Sequence, residues 1–256
     1  MSPRSCFVVP AAGRGSRLGL SVPKILAPVT PGRTIWSILR DRMVGVADHV
    51  HVVLAPEGVE PFEAAAQGDL RDGTVSTSVQ PVPRGMGDAI FGACEHWQGY
   101  PNVFVLWGDQ LGISTGTLRQ VASLQLEARR PTVTLPVVWR EGPYVQYQFD
   151  ERQTKLLRVL QTREGDRCDA AGFSDVGYFG LSTGGLAEAW RTFEALGGVG
   201  AQTGEANFLP FLAFLSVDRG WPVRTLIVED PDEARGVNTP EDLAYFGGLI
   251  ADTENA

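Results

Sequence analysis

The fold is decided by the stretch Val8-Val9-Pro10-Ala11-Ala12-Gly13-Arg14-Gly15-Ser16-Arg17-Leu18-Gly19, with Pro23-Lys24 shortly after it. Small residues directly after a short apolar run let the backbone come close to a ligand, and successive N–H groups there form a nest for an anion. Arg17 and Lys24 bring two positive charges to the same place. Backbone donors, a forked guanidinium and a point charge together suit a triphosphate.

Two familiar phosphate-binding motifs are absent from this stretch. A P-loop needs four residues between its glycines and then Gly-Lys-Ser/Thr, and the dinucleotide motif G-x-G-x-x-G fails because Gly19 comes one residue late. By itself the loop is therefore also compatible with a plain turn between a strand and a helix.

Outward from this loop, apolar runs alternate with helical patterns as far as residue 130. Strands are predicted over Cys6–Pro10, Ile25–Val29, His49–Leu54, Val75–Val79 and Val103–Trp107. Helices are predicted from Ile35 to Met43, Pro56 to Gln67 and Met86 to Trp97. Strand and helix alternating at this spacing indicate βαβ units on a parallel sheet.

The pattern changes from Pro131 onward. Strands over Thr132–Val138, Tyr144–Phe149 and Lys155–Leu160, joined by short polar turns, predict a mixed or antiparallel insertion. A helix from Glu205 to Val217, a strand from Val223 to Val228 and a helix from Pro240 to Ile250 complete the pattern, the last with Thr239 as its cap. One α/β domain over residues 1–256 is predicted, with a Rossmann-like, mixed but mainly parallel sheet flanked by helices.

Composition excludes several classes of protein. Hydrophobic residues make up 43% of the 256 residues and the net charge is -8, which argues against nucleic acid as a partner. The three cysteines and three histidines show no zinc-ligand spacing, and His49 and His51 are expected on one side of a strand as a structural pair. No signal peptide and no run of about 18 apolar residues is found, so a cytoplasmic protein without membrane contact is expected.

Several motifs in the same order resemble the sugar-phosphate nucleotidyltransferases, especially the uridylyltransferase domain of bacterial N-acetylglucosamine-1-phosphate uridylyltransferases. They are Ala11-Ala12-Gly13-x-Gly15-x-Arg17, Pro23-Lys24, Gly85-Met86-Gly87-Asp88-Ala89, Val105-Leu106-Trp107-Gly108-Asp109 and Gly236-Val237-Asn238. The resemblance implies the nucleotide-diphospho-sugar transferase fold, with a nucleotide-binding part over 1–130, a β-rich substrate-side part over 131–235 and a metal-site segment with the closing helix over 236–256. It does not extend to the left-handed β-helix domain, so acetyl transfer and the trimer that this domain builds are not expected.

The resemblance also implies roles for individual residues. Nucleotide-binding roles fall on Ala11, Ala12, Gly13, Gly15, Arg17, Pro83, Gly85, Gly87 and Asp88. Asp109 and Asn238 are the expected Mg²⁺ ligands, since a carboxylate and an amide oxygen suit a hard cation at the end of a strand. Arg17, Lys24 and Asp109 are the expected catalytic residues for attack of a substrate phosphate on the α-phosphorus of an NTP, with UTP or CTP favoured.

The substrate side departs from the uridylyltransferase pattern. The expected substrate-binding residues are Gln146, Gln161, Asp175 and Gly177, and the first three stand where that family usually has glycine, glutamate and asparagine. These changes predict weak activity on N-acetylglucosamine 1-phosphate and better activity on another sugar or polyol phosphate. Pro83 stands near the position of a base-reading glutamine, which leaves the base open.

Other activities remain as alternatives. A cytidylyltransferase for a phosphorylated alcohol, polyol or phosphonate is the first of them, and a guanylyltransferase for the molybdenum cofactor is less favoured because that group is usually shorter. A GT-A glycosyltransferase normally carries Asp-x-Asp, whereas Asp109 is followed by Gln110 and Leu111. A catalytically silent nucleotide sensor is disfavoured by the presence of Arg17, Lys24, Asp109 and Asn238. The oligomeric state is left open.

Overall fold

A computed structural model describes residues 5–13, 15, 18, 19 and 22–254, with side chains as far as residue 251. The strands are β1 (Ser5–Ala11), β2 (Pro28–Thr30), β3 (Arg33–Thr34), β4 (His49–Leu54), β5 (Val75–Val79), β6 (Asn102–Leu106), β7 (Val133–Glu141), β8 (Val145–Phe149), β9 (Leu156–Gln161), β10 (Ala171–Asp175), β11 (Tyr178–Ser182) and β12 (Val223–Ile227). The helices are α1 (Ile35–Met43), α2 (Val59–Ala65), α3 (Gln67–Arg71), α4 (Met86–Gly92), α5 (Cys94–Trp97), α6 (Thr115–Leu126), α7 (Leu186–Ala195), α8 (Phe208–Val217) and α9 (Pro240–Glu254).

Ten of the described strands form one sheet in the order β5-β4-β1-β6-β11-β7-β10-β8-β9, with β12 also pairing with β7. Strands β5, β4, β1 and β6 are parallel, as the alternating pattern of the first half predicts. Beyond β6 the neighbours pair in antiparallel fashion, while β12 runs parallel to β7. The predicted fold, a Rossmann-like mixed sheet with a β-rich insertion, is confirmed.

Two apolar layers cover the two faces of this sheet. In β1, Phe7 and Val9 face the layer to which α1, α6 and α9 contribute, whereas Cys6 and Val8 face the layer of α4, α5, α7 and α8. The strand is buried on both faces, which explains why it reads as a continuous apolar run rather than as an alternating pattern. In the second layer, Phe91 of α4 stacks on Trp190 of α7, with ring centroids 4.3 Å apart.

Several predicted boundaries differ from the structure. The extended segment predicted over Ile25–Val29 is a 3₁₀ turn (Lys24–Leu26) followed by β2. The predicted helix from Pro56 to Gln67 is a 3₁₀ turn followed by two short helices, and the helix predicted from Glu205 begins at Phe208. The elements β3, α6, β10, β11 and α7 were not predicted.

A hydrogen-bonded ladder of histidine and serine side chains joins β4 to the edge strand β5. Ser76 Oγ lies 2.7 Å from both His49 Nε2 and His51 Nδ1, and His51 Nε2 lies 2.8 Å from Ser78 Oγ. At the outer end of the ladder, His49 Nδ1 contacts the Gly73 carbonyl oxygen at 3.1 Å. The expectation that His49 and His51 share one side of a strand as a structural pair is confirmed.

Candidate active site

Three residues that are far apart in the sequence converge at the end of β6. Lys24 Nζ lies 2.5 Å from Asp109 Oδ2 and 3.1 Å from Asn238 Oδ1. Asp109 follows β6, at the edge of the parallel strands where ligands of open α/β sheets bind. Both oxygens are therefore within hydrogen-bonding distance of a single cationic group.

Backbone contacts bring the segment with Asn238 to this edge of the sheet. The Val237 N–H donates to the Asp109 carbonyl oxygen at 2.8 Å, and the Gly112 N–H donates to the Arg235 carbonyl oxygen at 2.9 Å. Gly236 lies so close that an added Cβ would stand 3.3 Å from the Asp109 carbonyl oxygen. A side chain at position 236 would therefore make a tight contact with the backbone of Asp109.

A cleft of about 280 Å³ opens in front of these residues. It is lined by Pro10, Ala11, Ala12, Gly13, Lys24, Ile25, Gln80, Pro83, Gly85, Met86, Ala89, Trp107, Gly108, Asp109 and Glu205. Five of the residues expected to bind nucleotide therefore line one cavity together with Lys24 and Asp109. Their contact with a nucleotide stays a prediction.

Gly15 positions Lys24 and does not itself line the cleft. It has φ +57°, and an added Cβ would lie only 2.9 Å from Lys24 Cβ. A side chain at position 15 would thus be strained and would push Lys24 away from Asp109. Arg17, the other expected phosphate-binding cation, lies outside the described residues.

Gly87 and Asp88 support the cleft from behind. Gly87 is buried, its N–H donates to the Ala206 carbonyl oxygen at 2.9 Å, and an added Cβ would clash with the Trp190 ring. Asp88 Oδ2 accepts a hydrogen bond of 2.7 Å from Gln80 Nε2. Neither is among the residues that line the cleft, so direct contact with a nucleotide stays a prediction for both.

Gln80 is a cleft residue that the sequence analysis missed. It directly follows β5 and is buried, and its Nε2 donates to the Gly85 carbonyl oxygen at 3.0 Å as well as to Asp88. Because both partners are acceptors, the amide nitrogen must face them, which leaves Oε1 as an acceptor. Its position just after the end of a parallel strand, like that of Asp109, was the signal that could have identified it.

The register of the insertion separates the expected substrate-binding residues. Gln161 of β9 pairs with Val145 of β8, so Gln161 lies on the sheet face opposite to that of Gln146. Gln146 is buried, and both polar atoms of its amide are hydrogen-bonded to Asp169. Its Nε2 donates to Asp169 Oδ2 and its Oε1 accepts from the Asp169 N–H, each at 2.7 Å. The expectation that Gln146, Gln161 and Asp175 face one pocket does not fit this register. A substrate-binding role stays a proposal for Gln161 and Asp175.

Asp175 and Tyr147 share the sheet face of Gln161. Tyr147 pairs with Phe173, two residues before Asp175, and its buried hydroxyl has no hydrogen-bond partner among the described residues. Burial raises the pKa of the Asp175 carboxyl to about 6, although the Gly177 N–H donates to Asp175 Oδ1 at 2.8 Å. A buried hydroxyl without a partner beside a poorly compensated carboxylate is typical of a site that binds a polar ligand.

Gly177 joins this region to the end of β6. Its carbonyl oxygen accepts a hydrogen bond of 2.9 Å from the Trp107 N–H, and it has φ +72°. An added Cβ would meet Trp107 Cδ1 and Gln110 Oε1, each at 2.7 Å. Gly177 therefore allows Asp175 to lie next to the strand end that carries Asp109.

The raised pKa of Asp175 leads to a stability prediction for Asp175→Asn. The carboxyl has a pKa of 3.8 in the unfolded chain and about 6 in the protein, so its ionisation opposes folding as the pH rises between these values. The cost is absent below pH 3.8 and complete above pH 6. At about 1.4 kcal/mol per pKa unit it amounts to at most about 3 kcal/mol.

Asparagine keeps an oxygen for the Gly177 N–H and removes the charge. We expect Asp175→Asn to raise the free energy of unfolding at pH 8, by urea titration, and to have no stabilising effect at pH 4. Arg140, Tyr144 and Tyr147 are the charged or titratable groups that interact with this carboxyl, and a Tyr147→Phe variant is the control for changed packing. An equal gain at both pH values would contradict the raised pKa.

The described residues include neither a carboxylate, thiol or imidazole cluster for a metal ion nor a membrane-spanning helix. No cluster of three or more His, Cys, Asp or Glu side chains there is arranged to hold a metal ion. The helices of that part of the chain include none with the length and apolar character needed to cross a membrane.

The chain is similar in sequence to known proteins. Bifunctional protein GlmU of Aquifex aeolicus is 24% identical over 256 residues, covering 95% of this chain and 52% of that protein. GlmU of Desulfitobacterium hafniense is 26% identical over 243 residues, covering 94% of this chain and 51% of that protein. The chain thus spans about half the length of these relatives.

A crystal structure of a putative glucose-1-phosphate thymidylyltransferase from Bacillus anthracis, in complex with sucrose, has a similar fold. Its TM-score is 0.74 at 14% identity, and the match covers 97% of this chain and 96% of that one. Residues 7–174 match the family described as the MobA-like NTP transferase domain. This match covers more than half of the chain, including Asp109 and every cleft residue except Glu205, and the chain therefore belongs to the MobA-like NTP transferase domain family of nucleotidyltransferases.

Proposed function

We propose that this protein transfers a nucleotidyl group from an NTP to a sugar phosphate or another hydroxyl-bearing phosphate and releases pyrophosphate. The observation that carries the proposal is the convergence of Lys24, Asp109 and Asn238 at a cleft lined by small residues. The family match and the GlmU relatives support the same class of reaction.

Asp109 and Asn238 are suited to hold Mg²⁺. Their oxygens are hard donors, and they already hold a cationic group, the Lys24 ammonium, between them. When bound there, Mg²⁺ would neutralise charge on the phosphates of both substrates. One carboxylate and one amide suffice, because this ion usually keeps waters and substrate oxygens as its other ligands.

The protein's own residues position the two substrates and neutralise the charge of their phosphates. A phosphate oxygen of the acceptor attacks the α-phosphorus, the bond from that phosphorus to the bridging oxygen breaks, and pyrophosphate leaves with the electron pair. The attacking oxygen is already an anion, so no general base is required. We propose that Lys24 moves from Asp109 to the phosphates, where its charge compensates that of the transition state, and that Gly13 N–H and its neighbours bind phosphate oxygens.

The base is assigned to the end of the cleft with Gln80 and Gly85. The free Oε1 of Gln80 accepts a hydrogen bond, which the N3–H of uracil or the N4 amino group of cytosine can donate. This acceptor is compatible with UTP or CTP as the nucleotide. Asp109, at the other end, marks the side where the phosphates would lie.

The acceptor is assigned to the region of Asp175 and Tyr147. A substrate hydroxyl can accept a hydrogen bond from the buried Tyr147 hydroxyl and donate one to the half-buried Asp175 carboxylate. Analogues without that hydroxyl would leave them unpaired and would be rejected. Because Gln161 and Asp175 stand where the uridylyltransferases usually have glutamate and asparagine, we propose a sugar or polyol phosphate other than N-acetylglucosamine 1-phosphate.

Pyrophosphate release with Mg²⁺ tests the proposed function. UTP, CTP, dTTP, ATP and GTP would each be combined with glucose 1-phosphate, N-acetylglucosamine 1-phosphate, ribitol 5-phosphate and glycerol 3-phosphate. We expect release with a pyrimidine nucleotide and a hydroxyl-bearing phosphate, and little with N-acetylglucosamine 1-phosphate. Efficient use of the latter would refute the acceptor assignment, and release that needs no acceptor would indicate simple NTP hydrolysis instead.

A further inference from the structure

The carboxylate of Asp242 holds the backbone on which Asn238 is carried. Asp242 lies in the first turn of α9, and its Oδ2 accepts hydrogen bonds from Asn238 N at 2.9 Å, Thr239 N at 3.0 Å and Thr239 Oγ1 at 3.2 Å. The Asp242 N–H in turn donates to Thr239 Oγ1 at 3.3 Å. This reciprocal arrangement is a capping box with aspartate at its third position.

The other oxygen of the same carboxylate is held by Arg235, on the opposite side of the turn. Arg235 Nε lies 3.0 Å from Asp242 Oδ1, and the guanidinium stacks 3.9 Å from the centroid of the Tyr245 ring. The Tyr245 hydroxyl donates to Asp232 Oδ2 at 2.6 Å. The turn with Asn238 is thus closed by an ion pair between the residues that flank it, Arg235 and Asp242.

Asp242 carries more hydrogen bonds than a helix cap needs. Burial favours its neutral form, yet hydrogen bonds from Asn238, Arg235 and Thr239 lower the pKa of its carboxyl below the usual value. The Asn238 side chain is itself exposed. Its Oδ1 accepts a hydrogen bond from Lys24. Because that contact cannot persist once Lys24 moves to the phosphates, another group must keep Asn238 in place.

We propose that Asp242 is the positioning residue that keeps Asn238 Oδ1 beside Asp109, and that Arg235 holds Asp242 in the required orientation. The inference rests on the proposed function, because it takes Asn238 as a metal ligand. A helix cap alone would explain the bonds to Thr239, but it would not require the bond to the Asn238 N–H or the ion pair across the turn. Groups that orient a metal ligand typically change metal affinity 10- to 100-fold when they are replaced.

The test compares Asp242→Ala with Glu241→Gln, which removes an exposed charge from the same turn of α9 but keeps an oxygen for the Thr239 side chain, with which Glu241 also interacts. One readout uses the protein without metal, namely hydrogen exchange of the Asn238 and Thr239 amides. We expect Asp242→Ala to accelerate their exchange about tenfold or more and Glu241→Gln to leave it unchanged. The second readout is Mn²⁺ binding followed by electron paramagnetic resonance with CTP or UTP present, in which Asp242→Ala should weaken binding about 10-fold or more.

Two further variants separate the possible outcomes. Arg235→Gln leaves Asp242 in place and should give a smaller change of the same kind, which also provides a test if Asp242→Ala does not fold. Asn238→Ala reports on the proposed function itself. If Asn238→Ala weakens Mn²⁺ binding while Asp242→Ala and Arg235→Gln only lower the melting temperature, the positioning role is wrong and the metal site stands. If Asn238→Ala has no effect on Mn²⁺ binding, the metal assignment fails.

Discussion

Asp109→Asn should lower kcat by about 100- to 1000-fold while the protein remains folded. The carboxylate lies at the end of β6 and contacts Lys24, so its removal takes a negative charge from the place where Mg²⁺ and both sets of phosphates would meet. Asparagine has nearly the same shape, and the Asp109 carbonyl oxygen still accepts the Val237 N–H. Initial rates of pyrophosphate release over a range of Mg²⁺ concentrations would measure the loss.

Asn238→Ala is expected to act in the same direction, with an increased Mg²⁺ requirement. Asp72→Asn, which changes an exposed aspartate, is the matched control and should leave the rate and the melting temperature unchanged. Activity of Asp109→Asn or Asn238→Ala within a few-fold of wild type would show that these side chains do not hold the metal.

Lys24→Ala should lower kcat by about 100-fold or more and change the KM for the nucleotide much less. The lysine charge matters most when negative charge builds up between the attacking and leaving oxygens, so its interaction is stronger in the transition state than in the ground state. In the free protein the ammonium is held by Asp109 and Asn238, which also limits its contribution to the initial binding of nucleotide. Steady-state kinetics at saturating Mg²⁺ would separate kcat from KM.

Lys155→Ala is the matched control, because Lys155 is exposed and does not line the cleft. A variant at position 24 with normal kcat and only a raised KM would make Lys24 a simple binding residue. A Lys24→Arg variant tests whether charge alone is enough, and it should recover only part of the rate because the guanidinium is larger and planar.

Much of the nucleotide half of the fold was predictable from sequence. Strands β4 and β5 have the predicted bounds. Strand β4 is largely buried and reads as a short apolar run, whereas the edge strand β5 was identified by its β-branched residues between turn residues. The elements missed have weaker patterns. For example, α6 contains the buried polar residues Thr117 and Gln125, which interrupt the apolar periodicity of its core face.

The candidate site was predictable where it depends on strand ends, and not where it depends on side-chain direction. Lys24, Asp109 and Asn238 were placed together from the order of their motifs, and their contacts agree. Gln146 illustrates the limit, because in a strand a shift of one residue reverses the face on which a side chain lies. The register of β8 against β9 is a feature of the tertiary structure that local sequence patterns do not predict.

The ladder between β4 and β5 has one direction, set by the Gly73 carbonyl oxygen, which can only accept a hydrogen bond. His49 must donate from Nδ1. Burial lowers the pKa values of His49 and His51, so both imidazoles are neutral at pH 7. His49 Nε2 therefore accepts from the Ser76 hydroxyl, which in turn accepts from His51 Nδ1–H, and His51 Nε2 accepts from Ser78. Both imidazoles thus carry their proton on Nδ1.

A second proton on either imidazole would have no hydrogen-bond acceptor in that arrangement unless the serine hydroxyls rotate. Burial and the neighbouring imidazoles lower the pKa of His51 to about 3, whereas a histidine in the unfolded chain has a pKa of 6.5. Between these pH values His51 binds a proton in the unfolded chain but not in the native protein. Protonation of His51 therefore favours unfolding progressively as the pH falls below 6.5. Protonation of His51, at the outer edge of the parallel sheet, is thus one way in which acid weakens the native structure.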